Sequence, residues 1–179
     1  MTIDQRTRGV TRPKRRPPQV PRTADITGVD LDILSDLLSF YIRVINLVLG
    51  RDLDGKMRGT PVARGTGKIS TLLLVAANPG IRPSVIAHFN MKDRSAMVRI
   101  LGQLRRAGLL RQSVSATERR AHELHLTAKG HALVHQVRDI ATRQSEAFFS
   151  MLSAEERRTL RTILEKVYQT VTAGTDPVR

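Results

Sequence analysis

Residues 79–130 constrain the fold more tightly than any other part of the chain. They run PGIRPSVIAHFNMKDRSAMVRILGQLRRAGLL and then RQSVSATERRAHELHLTAKG. Pro83 suits a first helical position, where its missing N–H has no intrahelical partner to lose. Val85, Ile86 and Phe89 give the short helix that follows an apolar side. Asn90 and Met91 form a turn. Asp93 or Ser95 then caps a second helix that continues to about Ala107. Gly108 ends it in the manner of a left-handed C-cap. Leu110 to Val114 and His122 to Leu126 read as two strands joined by a polar tip, Ser115 to Ala121. Helix, turn, helix and ribbon in that order make a winged helix-turn-helix.

The flanking segments are helical. Helix 1 is expected over 31–49, with Asp30 or Asp32 near its start as N-cap. Leu34, Leu37, Leu38, Tyr41, Ile42, Ile45, Val48 and Leu49 recur at helical spacing, and Phe40, Val44 and Leu47 widen the stripe. A helix apolar nearly all round needs burial on more than one side. Residues 50–66 are rich in Gly, Pro, Arg and Asp and read as loop. Within them Gly65–Lys68 imitates a phosphate-binding loop. The glycine needed five residues before the Gly-Lys pair is Val62, and Ile69 follows the Lys where Ser or Thr belongs. Helix 2 covers about Thr66 to Ala77, with Ile69, Leu72, Leu73 and Ala76 on one face. A long helix follows over 127–151. Ser153-Ala154-Glu155-Glu156 has the form of a capping box and opens a last helix over 154–172. Residues 1–29 hold seven Lys or Arg and four prolines and read as a disordered basic arm. The expected fold is mainly α with a small β-hairpin wing. Its winged-helix domain occupies 30–174 and its DNA-binding unit 66–126, with long terminal helices for dimerisation.

The second helix of the unit carries the chemistry. Met97, Ile100, Leu101 and Leu104 should face the body. That leaves Lys92, Arg94, Ser95, Ala96, Val98, Arg99, Gln103 and Arg106 outward. Such a face suits the major groove, where Arg pairs with guanine, Gln with adenine, and Ala or Val with thymine methyls. The first turn of a recognition helix reaches deepest, which puts weight on Arg94, Ser95, Ala96 and Arg99. Arginines on the wing tip suit the narrow minor groove. With 30 Lys and Arg against 16 Asp and Glu, the net charge of +14 favours a polyanionic partner.

In order and spacing, these residues resemble the MarR family of transcriptional regulators. The resemblance spans about Leu31 to Val171. It is carried most specifically by Asp93-Arg94-Ser95, Ala107-Gly108-Leu109-Leu110, Glu118-Arg119-Arg120-Ala121 and Leu126-Thr127-Ala128-Lys129-Gly130. It implies a homodimer on a pseudo-palindromic operator in double-stranded DNA. It also implies release by a small aromatic or acidic ligand held between the dimer interface and the winged domain. By the same resemblance Arg120 enters the minor groove beside Arg119, and Glu118, where the family more often has Asp, orients it. Many members have Gly where this chain has Met91, so Asn90 is expected to supply any left-handed residue in that turn.

Other chemistry finds little support. The chain has no cysteine, which excludes disulfides and thiol nucleophiles. His131 and His135 stand four apart, but two ligands make a poor metal site, so neither metal nor cofactor is expected. No ordered Ser-His-Asp set or apolar carboxylate pair indicates an enzyme. For an effector, Tyr41, Arg43, Arg64 and Lys68 are the polar candidates, and an acyl-CoA thioester fits the positive charge. No signal peptide or membrane span is read, so a cytoplasmic protein is expected. The sequence thus points to a DNA-binding regulator, most simply a ligand-released repressor. The alternative is a nucleoid-type protein that binds DNA with low specificity.

Overall fold

The computed structural model describes residues 29–114 and 122–173. The basic arm and the wing-tip residues Glu118, Arg119 and Arg120 lie outside the described residues. By its internal contacts the chain divides into two units, Met1–Phe40 and Tyr41–Arg179.

In the first unit, the Asp32 N–H donates to Asp30 Oδ1 at 2.8 Å and a 3-10 turn spans Asp32–Asp36. Asp32 sits at φ +50° and Leu37 is extended. These two conformations interrupt the helical ladder, so α1 starts at Leu38 rather than Leu31, and neither Asp30 nor Asp32 caps it. The helix also ends later than expected, at Lys56. Gly50 and Gly55 remain inside it. A glycine weakens a helix interior by only ~1 kcal/mol, too little to stop one whose continuation delivers Met57 and Val62, both fully buried, to the core. An Asp52–Lys56 ion pair at 2.6 Å closes its last turn. The loop therefore shrinks to residues 57–65.

The remaining elements lie close to expectation. They are α2 (Thr66–Ala77), α3 (Pro83–Phe89), α4 (Arg94–Arg106), β1 (Leu110–Val114), β2 (His122–Leu126), α5 (Ala128–Phe148) and α6 (Ala154–Thr172). The strands pair antiparallel, Leu110 opposite Leu126 and Val114 opposite His122. The sequence reading missed one extension of this ribbon. Ile81, between α2 and α3, bridges to Leu124, which donates to the Ile81 carbonyl at 3.2 Å while Gly80 donates to the Leu124 carbonyl at 2.9 Å. The bridge ties the ribbon to the residue pair just before α3.

The core joins one face of α2 through α5 and of the ribbon: Ile69, Leu72 and Val75 of α2, Ile86 of α3, Met97, Leu101 and Leu104 of α4, Leu110, Leu124 and Leu126 of the ribbon, and Val134 and Val137 of α5. Each such side chain contributes roughly 1.5–3 kcal/mol on burial. The capping box at the start of α6 is formed: Glu156 N–H donates to Ser153 Oγ at 3.2 Å and Ser153 N–H to Glu156 Oε2 at 2.8 Å. The Ser153 amide, then the Ser153 hydroxyl, hold the Glu156 carboxyl below the usual range.

The Leu126–Gly130 motif is a junction. Thr127 caps α5 by accepting from Gly130 N–H at 3.0 Å, and its hydroxyl donates to the Gly108 carbonyl at 2.6 Å. Its own N–H donates to the Leu109 carbonyl at 3.0 Å. Lys129 Nζ donates to the Ala107 carbonyl at 2.9 Å, a cation placed where the α4 dipole is negative. Gly130 is required by close approach, since a Cβ there would overlap the Leu109 carbonyl oxygen. Replacing Gly130 with Ala should therefore destabilise the fold by roughly 1–3 kcal/mol. Thermal unfolding followed by circular dichroism will show it, and an unchanged midpoint would contradict the close approach.

Candidate DNA-binding surface

α4 starts at Asp93, whose Oδ1 accepts from Ala96 N–H at 2.7 Å. Ser95 Oγ donates to the same oxygen at 2.7 Å. Of the two candidates for the cap, Asp93 performs it and Ser95 supports it. The Ala96 amide, then the Ser95 hydroxyl, hold the Asp93 carboxyl below its usual range, with Arg99 adding a smaller effect. Met97, Leu101 and Leu104 are buried and Ile100 half-buried, as the spacing required. Lys92, Arg94, Ser95, Arg99, Gln103 and Arg106 are exposed and Ala96 is half-buried. Four arginines and no acid lie between Arg94 and Arg106. Arg105 is drawn toward the ribbon, donating to Gln112 Oε1 at 3.1 Å.

The turn before α4 departs from expectation. Asn90 has φ −86°, and the left-handed residue is Met91, at φ +48°. Asn90 serves through its side chain instead. Its Nδ2 donates to Thr71 Oγ1 at 2.9 Å, and its Oδ1 accepts from Ser70 Oγ at 2.5 Å. Thr71 is fully buried and donates in turn to the Gly67 carbonyl at 2.6 Å. This clamp fixes the turn to α2 and so sets the angle at which α4 leaves the body. Sequence reasoning passed over Ser70 and Thr71 and gave Asn90 a backbone role in place of this side-chain one. The available signal was a pair of hydroxyls inside the apolar run of α2, twenty residues from a lone amide.

The four effector candidates occupy different settings. Lys68 Nζ donates to the Pro61 and Ala63 carbonyls, at 3.2 and 2.5 Å, and so braces the loop after α1. Arg64 in that loop is exposed, at φ +57°. Tyr41 and Arg43 are exposed on α1. Among the described residues no group of three or more His, Asp or Glu could hold a metal, and no helix is long and apolar enough to cross a membrane.

A short helix, a turn clamped to α2, a basic helix and a ribbon bonded to the chain before the first and to the end of the second define a winged helix-turn-helix protein. No protein-family model matches the chain. It is 34% identical over 149 residues to a putative transcriptional regulatory protein for the hcr operon of Thauera aromatica, covering 83% of this chain and 89% of that one. It is 30% identical over 139 residues to the HTH-type transcriptional regulator PecS of Dickeya dadantii (strain 3937), covering 77% and 84%. Among solved structures it superposes on the transcriptional repressor CouR, bound to a 23-mer DNA duplex, with TM-score 0.71 and 29% identity, covering 78% and 98%. The chain belongs to the MarR family of transcriptional regulators, DNA-binding proteins and not enzymes.

Two measurements test this local geometry. A non-glycine residue in the left-handed region costs roughly 1–2 kcal/mol, and a glycine returns about half of that as chain entropy. Met91 is 64% exposed and loses little packing on truncation, so Met91→Gly should stabilise by about 0.5–1 kcal/mol in urea titrations. A depressed folded-state pKa contributes stability that is present above the unfolded pKa and lost as pH falls through the folded one. Asn caps as well as Asp at every pH. The wild type should therefore lose stability relative to Asp93→Asn only as pH drops through the aspartate range. A difference that does not change with pH would show that the Asp93 carboxyl is not held by the α4 amides.

Proposed function

We propose that the chain acts as a homodimer that binds a pseudo-palindromic operator through α4 and the wing and represses transcription until a small ligand releases it. The observation that carries the DNA part is the exposed arginine face of α4, with Gln103 among its arginines and Asp93 confined to the cap. Lys92 and Arg106 reach phosphates at the two ends of the helix, while Arg94, Ser95, Ala96, Arg99 and Gln103 meet base edges. Arg120 enters the minor groove beside Arg119, oriented by Glu118. The presence of CouR on a DNA duplex supports this mode of binding.

The dimer is supported by what the single chain leaves uncovered. No residue of α6 is buried, and Ile163, Leu164, Val167, Tyr168 and Val171 along it are each about half exposed. On α1, Tyr41, Ile42, Val44, Ile45 and Leu47 are similarly exposed. Apolar stripes of this size call for a partner surface. A second copy covers both and sets two reading helices about a two-fold axis, matching two half-sites.

For the effector, family habit supports a small aromatic or acidic ligand, an acyl-CoA thioester among the acids, taken up between the terminal helices and the winged unit. Tyr41, Arg43 and Arg64 are the polar groups offered to it, and Lys68 joins them by leaving its loop carbonyls.

Arg99→Ala and Arg120→Ala should each weaken operator binding by roughly 1–3 kcal/mol, about 5- to 150-fold, with unchanged thermal midpoints. The operator is obtained by selection from random duplexes. A sequence-specific regulator keeps a preference of about a thousandfold or more over random duplex. A preference near one would replace this reading with the low-specificity, nucleoid-type protein that the +14 charge also allows.

A further inference from the structure

Beside its arginines, α4 carries an apolar stripe that the fold does not use. Val98 is 63% exposed. One turn on, at i+4 and so on the same side, stands Gly102. Glycine inside a helix is unfavourable and normally has a packing or backbone reason. Here neither applies. The helix runs unbroken from Arg94 to Arg106, and Gly102 is not among the residues with positive φ. Among the described residues, a Cβ at Gly102 would meet only the guanidinium end of Arg106, at 3.6 Å, an ordinary contact. Gly130, by contrast, faces a backbone carbonyl that leaves no room. The space above Gly102 is thus kept open toward the outside of the protein.

Val98 and Gly102 line a concave cleft of about 740 Å³ between α3, α4 and the ribbon. Ala87 and Pro83 extend its apolar floor, Arg94 and Arg105 lie at the two ends of its α4 wall, and among the described residues no acidic side chain lines it. A small apolar notch between two cations on a reading helix matches one feature of the major groove. The only apolar group that base edges present there is the C5-methyl of thymine, and the phosphates on either side match the cations.

We propose that Val98 and Gly102 form a thymine-methyl notch: Val98 packs on the methyl group, and the missing side chain of Gly102 lets the base edge approach the helix backbone. The proposal rests on the DNA-reading role of α4 argued above and adds a base identity to it. Arginines and glutamine select by hydrogen bonding, whereas this notch distinguishes thymine from a base that lacks only the methyl.

The test uses the full chain and a duplex that the wild type selects from a random-sequence pool. Each thymine is replaced singly by 2′-deoxyuridine, which removes the methyl and nothing else. One thymine per half-site should lose about fourfold in affinity, the worth of one buried methyl group. In Val98→Ala the thymine-to-uracil ratio at that position should fall toward one, an effect that loss of folding does not produce. Gly102→Ala should raise the thermal midpoint, because alanine is the better helix former, yet weaken binding about tenfold, because its methyl overfills the notch. Uniform uracil ratios, a ratio that survives in Val98→Ala, or full affinity in Gly102→Ala would each overturn the notch and leave the operator reading standing. Selection that yields no duplex preferred over random DNA would overturn both.

Discussion

The bonds around the Leu109 carbonyl hold the DNA-binding unit together. At this point α4 has just ended, β1 is about to start, β2 has just finished and α5 begins. One carbonyl accepts from Thr127 N–H, and Gly130 packs against it where no side chain fits. The neighbouring carbonyls of Gly108 and Ala107 are taken by Thr127 Oγ1 and Lys129 Nζ. Helix C-termini leave carbonyls without intrahelical partners. Here the carbonyls of Gln103, Leu104 and Arg105 are capped by the N–H groups of Ala107, Leu109 and Gly108, and the carbonyls of the exit turn itself, Ala107 to Leu109, are taken by Thr127 and Lys129 at the start of α5, so the turn that ends α4 and the start of a long scaffold helix form one hydrogen-bonded piece. A rotation of α5 about this point carries the root of the ribbon and the end of α4 with it.

The other end of α4 is held differently. Asn90 binds the turn to α2 through two hydroxyls, one of them on a fully buried residue. The next residue, Met91, is left in a conformation that favours glycine. The two facts are linked. An amide pinned on both its oxygen and its nitrogen fixes where the backbone of Asn90 can go, and the chain must then reverse within one residue to reach the Asp93 cap. The strain falls on Met91 because the clamp leaves it nowhere else to fall. α4 is thus anchored by polar contacts at both termini and by Met97, Leu101 and Leu104 between them, which leaves its outer face free to carry a charge pattern chosen for DNA.

How much of this was legible depends on the range of the interaction. Helices with strong local signals lie where their residues indicate. Pro83 opens α3, Asp93 caps α4, Gly108 ends it at φ +71°, and the Ser153–Glu156 box opens α6. The ribbon lies where two short segments, 110–114 and 122–126, flank a polar tip. Failures arise where a distant contact overrides a local preference. Gly50 and Gly55 are helical because Met57 and Val62 gain burial, which a composition rich in Gly and Asp does not disclose. The Asn90 clamp spans twenty residues and has no periodicity. Lys68 is equally instructive: a lysine near a glycine pair resembles an anion site, but in the fold its ammonium neutralises two loop carbonyls. The outward arginines of α4 were readable because they are what remains after the buried face is assigned. The glycine between them was not, since its meaning appears only once the empty space above it is known.

In the dimer proposed above, the charge distribution limits the repulsion that the positive excess of each chain would cause. α6 holds Arg157, Arg158, Arg161 and Lys166 against Glu155, Glu156 and Glu165, four against three. α1 holds Arg43, Arg51 and Lys56 against Asp52 and Asp54, three against two. α4 holds four arginines and no acid. The elements with uncovered apolar stripes are thus nearly neutral, and most of the excess sits in α4 and in the first 29 residues, where Lys and Arg outnumber Asp seven to two. Repulsion between exposed charges falls off over about 8–10 Å at ordinary salt, so cations remote from an interface oppose it weakly. The same cations act in full on a phosphate backbone they touch. Segregating charge from apolar surface means that the dimer face and the DNA face proposed above do not weaken each other.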